Sequence, residues 1–246
     1  MKHKNNWVAS KYVAHRGQWR ASRDASVVAV GSRLVSDITA GWYATLLPQY
    51  ARGRLLDLGC GTVPLYAMYQ PYVQENICVD WGGSFHHAQH LDLELDLNQP
   101  LPFADGEFDA IILSDVLEHI AEPMALWTEM ARLLAPNGKI ILNVPFFYCL
   151  HECPHDYYRY TAFALQRFAE KTGLNVILLE ASGGSVEIFA DFLAKHLQFV
   201  PLIGHGLAAF IQWCAGTLRA TWLGHRFVKI TAQAFPLGYF MVVEKK

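Results

Sequence analysis

Three stretches of the chain carry residues whose types and spacing could do chemistry. The first is Asp57-Leu58-Gly59-Cys60-Gly61-Thr62. Glycines there let a backbone turn sharply and come close to a ligand. Asp80 stands nineteen residues after Gly61. A carboxylate at that distance, closing the next strand, can accept hydrogen bonds from both hydroxyls of a ribose. The second stretch is Asp115, Glu118 and His119, spaced i, i+3 and i+4, so one helical turn would present all three on one side. His119 could then serve as a general base. The third is the polar, aromatic segment His151-Glu152-Cys153-Pro154-His155-Asp156-Tyr157-Tyr158-Arg159-Tyr160-Thr161. A zinc site of His151, Cys153 and His155 would need a fourth ligand, and none is evident.

These residues need elements to hold them. Arg54 to Leu58 reads as a short buried strand, and Asn76 to Asp80 as a second that ends on the acid. Leu91 to Leu97 alternates apolar and acidic residues, the pattern of a half-buried strand. Phe108 to Leu113, Lys139 to Val144, Leu174 to Leu179 and Leu237 to Val243 complete a set of seven. Helical spacing is expected from Ser36 to Tyr50, from about Leu65, from Pro123 to Leu134, and from Thr161 to Lys171. The basic stretch over residues 1–30 reads as a solvated arm or short helix. Strands alternating with helices imply an α/β fold: a Rossmann-like seven-stranded sheet covered by helices on both faces. No helix lies between the last strand and the chain end, and that strand is expected to enter antiparallel. The predicted organisation is an arm over 1–35, a cofactor-binding core over 36–183, a hydrophobic helical insertion over 184–233, and the last core strand over 234–246. His86, His87 and His90 are expected on a solvated loop after the second strand.

Composition narrows the class. The chain has 246 residues, 20 Lys plus Arg and 22 Asp plus Glu, for a net charge of −2. That balance argues against general nucleic-acid binding, which usually requires a basic excess. Its hydrophobic fraction of 52% is ample for a packed core. The cysteine count is five, an odd number, and no apolar run follows the polar N-terminus, so a reduced, cytoplasmic protein is expected. Val63 and Pro64 stand where a dinucleotide motif would carry a further glycine, which disfavours a nicotinamide cofactor. S-adenosylmethionine carries no phosphate and needs only close backbone approach and an acid for its ribose.

Leu55-Leu56-Asp57-Leu58-Gly59-Cys60-Gly61-Thr62, Asp80, Asp96-Leu97, Ser114-Asp115-Val116-Leu117-Glu118-His119 and Leu133-Leu134-Ala135-Pro136-Asn137-Gly138 occur in that order. Over roughly residues 50–180 this series resembles the class I S-adenosylmethionine-dependent methyltransferases, and within them the type 11-like, bacterial glycan- and envelope-associated members. The resemblance implies a cofactor site of Asp57, Gly59, Cys60, Gly61, Asp80, Trp81, Asp96, Leu97 and Ser114. Asp80 would hold the ribose; Asp96 and the Leu97 backbone would meet the adenine. S-adenosylhomocysteine would be the product. The His155-Asp156-Tyr157-Tyr158-Arg159-Tyr160-Thr161 phrase resembles a substrate-facing lid, which makes His155 and Tyr158 catalytic candidates alongside His119. Some relatives hold a divalent ion on an acid-x-x-Glu-His motif and a later histidine. Asp115, Glu118, His119 and His155 would be the matching set here, but metal-free relatives share the phrase, and no metal is expected.

Methyl transfer to a hydroxyl of a sugar or cell-envelope precursor is the leading expectation, with a lipid or quinone-type small-molecule acceptor as the alternative. A non-catalytic module that binds S-adenosylmethionine is the alternative of another class. No Asp, Glu, Lys or Arg occurs from His196 to Leu218. Pro201, Gly204 and Gly206 interrupt that run, which favours two short helices over a membrane span. With Arg219, His225, Arg226 and Lys229 behind them, residues 196–230 are expected to form an acceptor lid, a homodimer surface or a peripheral contact with the inner face of a membrane.

Overall fold

The computed structural model describes residues 1–83 and 89–246. His86 and His87, expected on a loop, lie outside the described residues. In chain order the strands and helices are β1 (Tyr12–His15), β2 (Gln18–Ala21), α1 (Arg33–Tyr50), β3 (Arg54–Leu58), α2 (Tyr66–Tyr69), β4 (Glu75–Asp80), β5 (Leu93–Glu94), β6 (Phe108–Ser114), α3 (Pro123–Leu133), β7 (Leu134–Pro145), α4 (Ala162–Lys171), β8 (Leu174–Ala181), α5 (Ser185–Leu197), α6 (Gly204–Ala220), α7 (Trp222–Thr231) and β9 (Gly238–Lys245). They fall into two compact units. One comprises residues 1–8, 45–180 and 239–246; the other comprises residues 9–44 and 181–238.

The first unit is built on the sheet. Among the described residues, seven strands lie in the order β5-β4-β3-β6-β7-β9-β8. β3 pairs in parallel with β4 and β6, and β6 with β7. β9 runs antiparallel to β7, as expected of the last strand. Apolar runs such as Leu55-Leu56 and Ile111-Ile112-Leu113 are buried on both faces of the sheet, which is why they lack a two-residue alternation. α3 contributes Leu126, Trp127, Met130 and Leu133 to the core cluster that contains Leu56, Leu113 and Met241. Trp127 stacks on Phe168 of α4 at 5.8 Å. Thr161 caps α4 by accepting from the Ala164 amide at 3.2 Å, and Gly173, at φ 72°, follows its end.

Three expectations about this unit change in the structure. The strand expected over Leu91–Leu97 is only Leu93–Glu94. The Asp96 carboxylate accepts from the Asn98 amide and side chain, both at 2.9 Å, and this local turn ends the pairing. The helix expected from Leu65 ends at Tyr69 and tightens into a 3₁₀ turn over Gln70–Tyr72, at Pro71. The turn at Pro136-Asn137-Gly138 lies within a longer β7, where Asn137 has φ 61° and the register against β6 shifts.

The second unit is mainly helical. The segment expected as an arm or short helix holds a hairpin: β1 pairs antiparallel with β2 across Arg16 and Gly17, both at positive φ. Asp37 of α1 accepts from the Ala21 amide at 2.8 Å and pairs with Arg23 through both oxygens. Residues 196–218, expected as two short helices around Pro201 to Gly206, hold the end of α5 and most of α6, and α7 follows. Leu34 and Ile38 of α1, Ile188 of α5, Ala215 of α6 and Leu237 make a shared core cluster. Glu187, fully buried on α5, accepts from the Gly184 amide at 2.9 Å and from Arg219 of α6 at 3.3 Å. Among the described residues, no helix is long and apolar enough to cross a membrane.

Candidate active site

The glycine turn leaves β3 where parallel pairing ends. The Gly59 and Cys60 amides both donate to the Val79 carbonyl of β4, at 2.8 and 3.1 Å. Gly59 and Gly61 have φ of 67° and 53°. A Cβ on Gly59 would lie 2.4 Å from Val116 Cγ2, so the turn needs glycine for both conformation and space. Val63 also has φ 54°, uncommon for a β-branched residue.

Asp80, at the end of β4, ties this turn to its own strand. One carboxylate oxygen accepts from the Gly61 amide at 2.8 Å and the other from the Trp81 amide at 2.7 Å. An ionised carboxylate has about four acceptor positions. Asp57, inside β3, is almost wholly buried, and its Oδ2 has no hydrogen-bond partner. Burial, with the Asp80 charge adding to it, pushes the Asp57 carboxyl up to about 7. Trp81 is exposed, and Cys60 is a buried free thiol beside the turn. Asp96 is exposed and Leu97 is buried beyond β5. Asn98 Oδ1 accepts from the Ala121 amide at 2.9 Å, which joins this segment to the turn after β6.

β6 ends at Ser114, whose hydroxyl donates to Asn143 Oδ1 of β7 at 3.0 Å. Asp115 has φ 52°, and its carboxylate accepts from Asn143 Nδ2. Leu117–His119 then form one 3₁₀ turn. Onto that turn docks the loop of residues 146–160. The Tyr157 and Tyr158 amides donate to the Glu118 carbonyl at 2.9 and 3.2 Å. The Tyr160 hydroxyl donates to the Leu117 carbonyl and that of Tyr158 to the Ala121 carbonyl, each at 3.0 Å. Arg159 grips both oxygens of Asp156, at 2.6 and 2.8 Å, and holds the Asp156 carboxyl well below the usual carboxylate range.

The loop also brings His151 beside the 3₁₀ turn. His119 Nε2 and His151 Nε2 are 3.1 Å apart, and Glu118 Oε1 lies 3.8 and 3.7 Å from them. Burial raises the Glu118 pKa. Burial opposes a charge on His151, but the Glu118 and Asp156 carboxylates outweigh it and raise its pKa. Of the four residues considered for an ion from sequence, only Glu118 and His119 belong to this cluster; Asp115 engages Asn143. His155 contributes its carbonyl, 3.0 Å from His119 Nδ1, while its ring meets the Tyr157 hydroxyl at 3.1 Å and the Trp81 ring at 5.2 Å. In the sequence His151 stands out only beside Cys153. Its closeness to His119 depends on loop docking across thirty-two residues, which no local spacing reveals.

Residues 56–142 match the family model described as "Methyltransferase domain". An uncharacterized methyltransferase of Mycobacterium tuberculosis (strain H37Ra) is 33% identical over 116 residues, or 46% of this chain and 44% of that protein. One of Mycolicibacterium paratuberculosis gives the same identity and coverage. Over this stretch the chain is similar to methyltransferases. The alignment spans less than half the length of these curated relatives. Among solved structures, a geranyl diphosphate methyltransferase in complex with SAM superposes with a TM-score of 0.56 at 11% identity, covering 88% of this chain and 90% of that one. The [4+2]-cyclase SpnF superposes at 0.53 with 19% identity, covering 85% and 83%. Both likenesses are of fold, and they join a methyltransferase and a cyclase on the methyltransferase domain's architecture.

Proposed function

We propose that the protein transfers the methyl group of S-adenosylmethionine to a hydroxyl of a sugar-containing or related cell-envelope precursor. The observation that carries the cofactor reading is the Gly59–Gly61 turn held by the Asp80 carboxylate at the ends of adjacent parallel strands. A ligand in a sheet of this kind lies beyond the carboxyl ends of the strands. Asp80 would take the ribose hydroxyls, and Asp96 with the Leu97 backbone would take the adenine. Trp81 and Ser114 flank the same strand ends.

The sulfonium needs no further activation. The acceptor oxygen attacks the methyl carbon in line, an O–CH3 bond forms, the S–CH3 bond breaks, and its electron pair stays on the sulfur of S-adenosylhomocysteine. Positioning is therefore the main task of the protein. The hydroxyl proton goes to His155, whose ring stands beside Trp81, the residue after the ribose acid. With Nδ1 donating to the Tyr157 hydroxyl, its Nε2 keeps the lone pair a base requires. His119 supports His155 from behind through the His155 carbonyl, and Tyr158 braces the loop on Ala121.

The second unit supports a peripheral membrane role, and so a lipid-linked acceptor. Phe199, Leu202, Phe210, Trp213, Trp222 and Leu223, on α6, α7 and the turn before them, are all exposed. Single exposed apolar residues are ordinary, but a series of this size on adjoining helices is not. Arg226 lies over the Trp222 ring at 5.7 Å, a pairing of cation and aromatic suited to a headgroup region.

Calorimetric titration with S-adenosylmethionine tests the cofactor. Micromolar affinity in the parent, lowered about 10- to 100-fold in Asp80→Ala, is expected from stranding buried polar partners. His155→Ala should keep that affinity and lose methyl transfer to envelope lipid extracts. Sedimentation with anionic vesicles tests the membrane role, with Trp222→Ser/Leu223→Ser expected to stay in the supernatant. Parent protein that binds no S-adenosylmethionine would overturn the reading; cofactor binding without turnover on any extract would favour the non-catalytic module.

A further inference from the structure

Glu118, His119 and His151 form a cluster that methyl transfer by itself does not require. Their hydrogen bonds fix which nitrogen of each imidazole carries a proton. His119 Nδ1 faces the His155 carbonyl at 3.0 Å, and a carbonyl only accepts, so Nδ1 donates. His151 Nδ1 faces the Cys149 carbonyl at 3.3 Å and an Asp156 carboxylate oxygen at 3.4 Å, acceptors again. Both Nε2 atoms therefore carry lone pairs when the rings are neutral, and they point at one another across 3.1 Å. The Glu118 carboxylate joins them from a fully buried position, and neither of its oxygens has a hydrogen-bond partner. With both rings neutral, three lone-pair donors thus converge on one point. Buried polar groups without partners are costly, and a cation at their centre would satisfy all three.

We propose that Glu118 Oε1, His119 Nε2 and His151 Nε2 bind a divalent first-row transition ion, with zinc as the first choice. The separations among these atoms are 3.1, 3.7 and 3.8 Å. A point equidistant from them lies about 2.1 Å from each, which is the length of Zn–N and Zn–O bonds. Two imidazoles and one carboxylate suit zinc, iron(II) or cobalt, and disfavour magnesium and calcium, which prefer oxygen ligands throughout. Each imidazole donates its other N–H to a carbonyl or carboxylate, the outer support that metal-binding histidines ordinarily have. Three protein ligands leave a position open for water or for a ligand oxygen. Glu152 Oε2, 3.9 Å from His119 Nε2, is the nearest further carboxylate to that histidine. The ligand set differs from the one the sequence resemblance implied: His151 replaces His155, and Asp115 takes no part.

Ion binding stands on this geometry and is independent of the cofactor. That an acceptor hydroxyl would occupy the open position, with its pKa lowered there, rests on the proposed methyl transfer.

The test is titration of the full chain, stripped with chelator and dialysed, with Co²⁺ and then Zn²⁺. One equivalent of Co²⁺ should bind and give visible d–d absorption, and one equivalent of Zn²⁺ should bleach it. His151→Ala should weaken Co²⁺ binding by more than about 100-fold, beyond the 10- to 100-fold typical of losing an outer partner. His205→Ala, an exposed histidine of α6, should bind as the parent does. Zinc should also raise the thermal midpoint of the parent, a readout that needs no variant to fold. No stoichiometric cobalt binding by the parent overturns the site, as does equal affinity in His151→Ala. S-adenosylmethionine affinity is read on the same samples. A parent that binds the cofactor and no cobalt loses the ion site and keeps the proposed reaction; the reverse result does the opposite.

Discussion

Asp57 lies on β3, an interior strand of the sheet, beside the glycine turn, and its ionisation should set how stability depends on pH. Replacing it with Asn supplies a neutral side chain of the same shape. In the folded protein burial raises the Asp57 carboxyl to about 7, against 3.8 ordinarily. The folded state therefore holds this proton more tightly than the unfolded chain does. Asp57 contributes its full stability below about pH 4, and that contribution is lost as pH rises through 7. The shift of about three units corresponds to about 4 kcal/mol across this window. Urea unfolding of parent and Asp57→Asn at matched ionic strength, from pH 4 to 8, isolates the effect, because all other titrations cancel in the difference. The parent should lose ground to the variant steadily between pH 4 and 7 and no further above it. A difference that stays flat across the range, or one that moves in the parent's favour, would refute a carboxyl whose pKa is raised by burial at this position.

Further outcomes follow from single contacts. Gly59→Ala must adopt φ near 67° and press a methyl against Val116, so it should lower the unfolding midpoint and weaken S-adenosylmethionine binding about tenfold, read by calorimetry. Arg159→Lys keeps the charge but loses the two-pronged grip on Asp156; amide exchange of residues 149–158 should accelerate about tenfold, while β6 and β7 keep the parent's protection. Glu187→Gln leaves Arg219 without its carboxylate while keeping an acceptor for the Gly184 amide. A loss of about 2 kcal/mol in urea unfolding is expected for breaking a largely buried charged pair.

Some of this architecture is legible in the residues and some is not. The parallel strands are, because a strand buried on both faces must be apolar throughout, as Arg54–Leu58 and Phe108–Leu113 nearly are. The glycine turn is, because Gly59 and Gly61 answer a backbone requirement that few other residues meet. What resisted reading is whatever depends on partners distant in sequence. The Arg16-Gly17 hairpin is two four-residue strands within a basic stretch, too short for an alternation to stand out. The truncation of β5 turns on one Asp96–Asn98 contact. His119 and Glu118 were visible as a local pair, yet the third member of their cluster arrives on another loop. The one-helical-turn picture also failed for Asp115: its left-handed backbone leads its carboxylate to Asn143 instead.

The way the loop of residues 146–160 is fastened bears on how such domains diversify. Its internal clasp, Asp156 with Arg159, comes entirely from the loop itself. Its moorings, by contrast, are largely the backbone oxygens of Leu117, Glu118 and Ala121, which any residues in the same turn would supply. A segment that brings its own buckle and asks mostly for main-chain anchorage can be exchanged wholesale while the strands beneath stay untouched. On the proposed reading, acceptor choice can then evolve as a cassette, inherited or swapped in one piece, while the strands need not be redesigned each time.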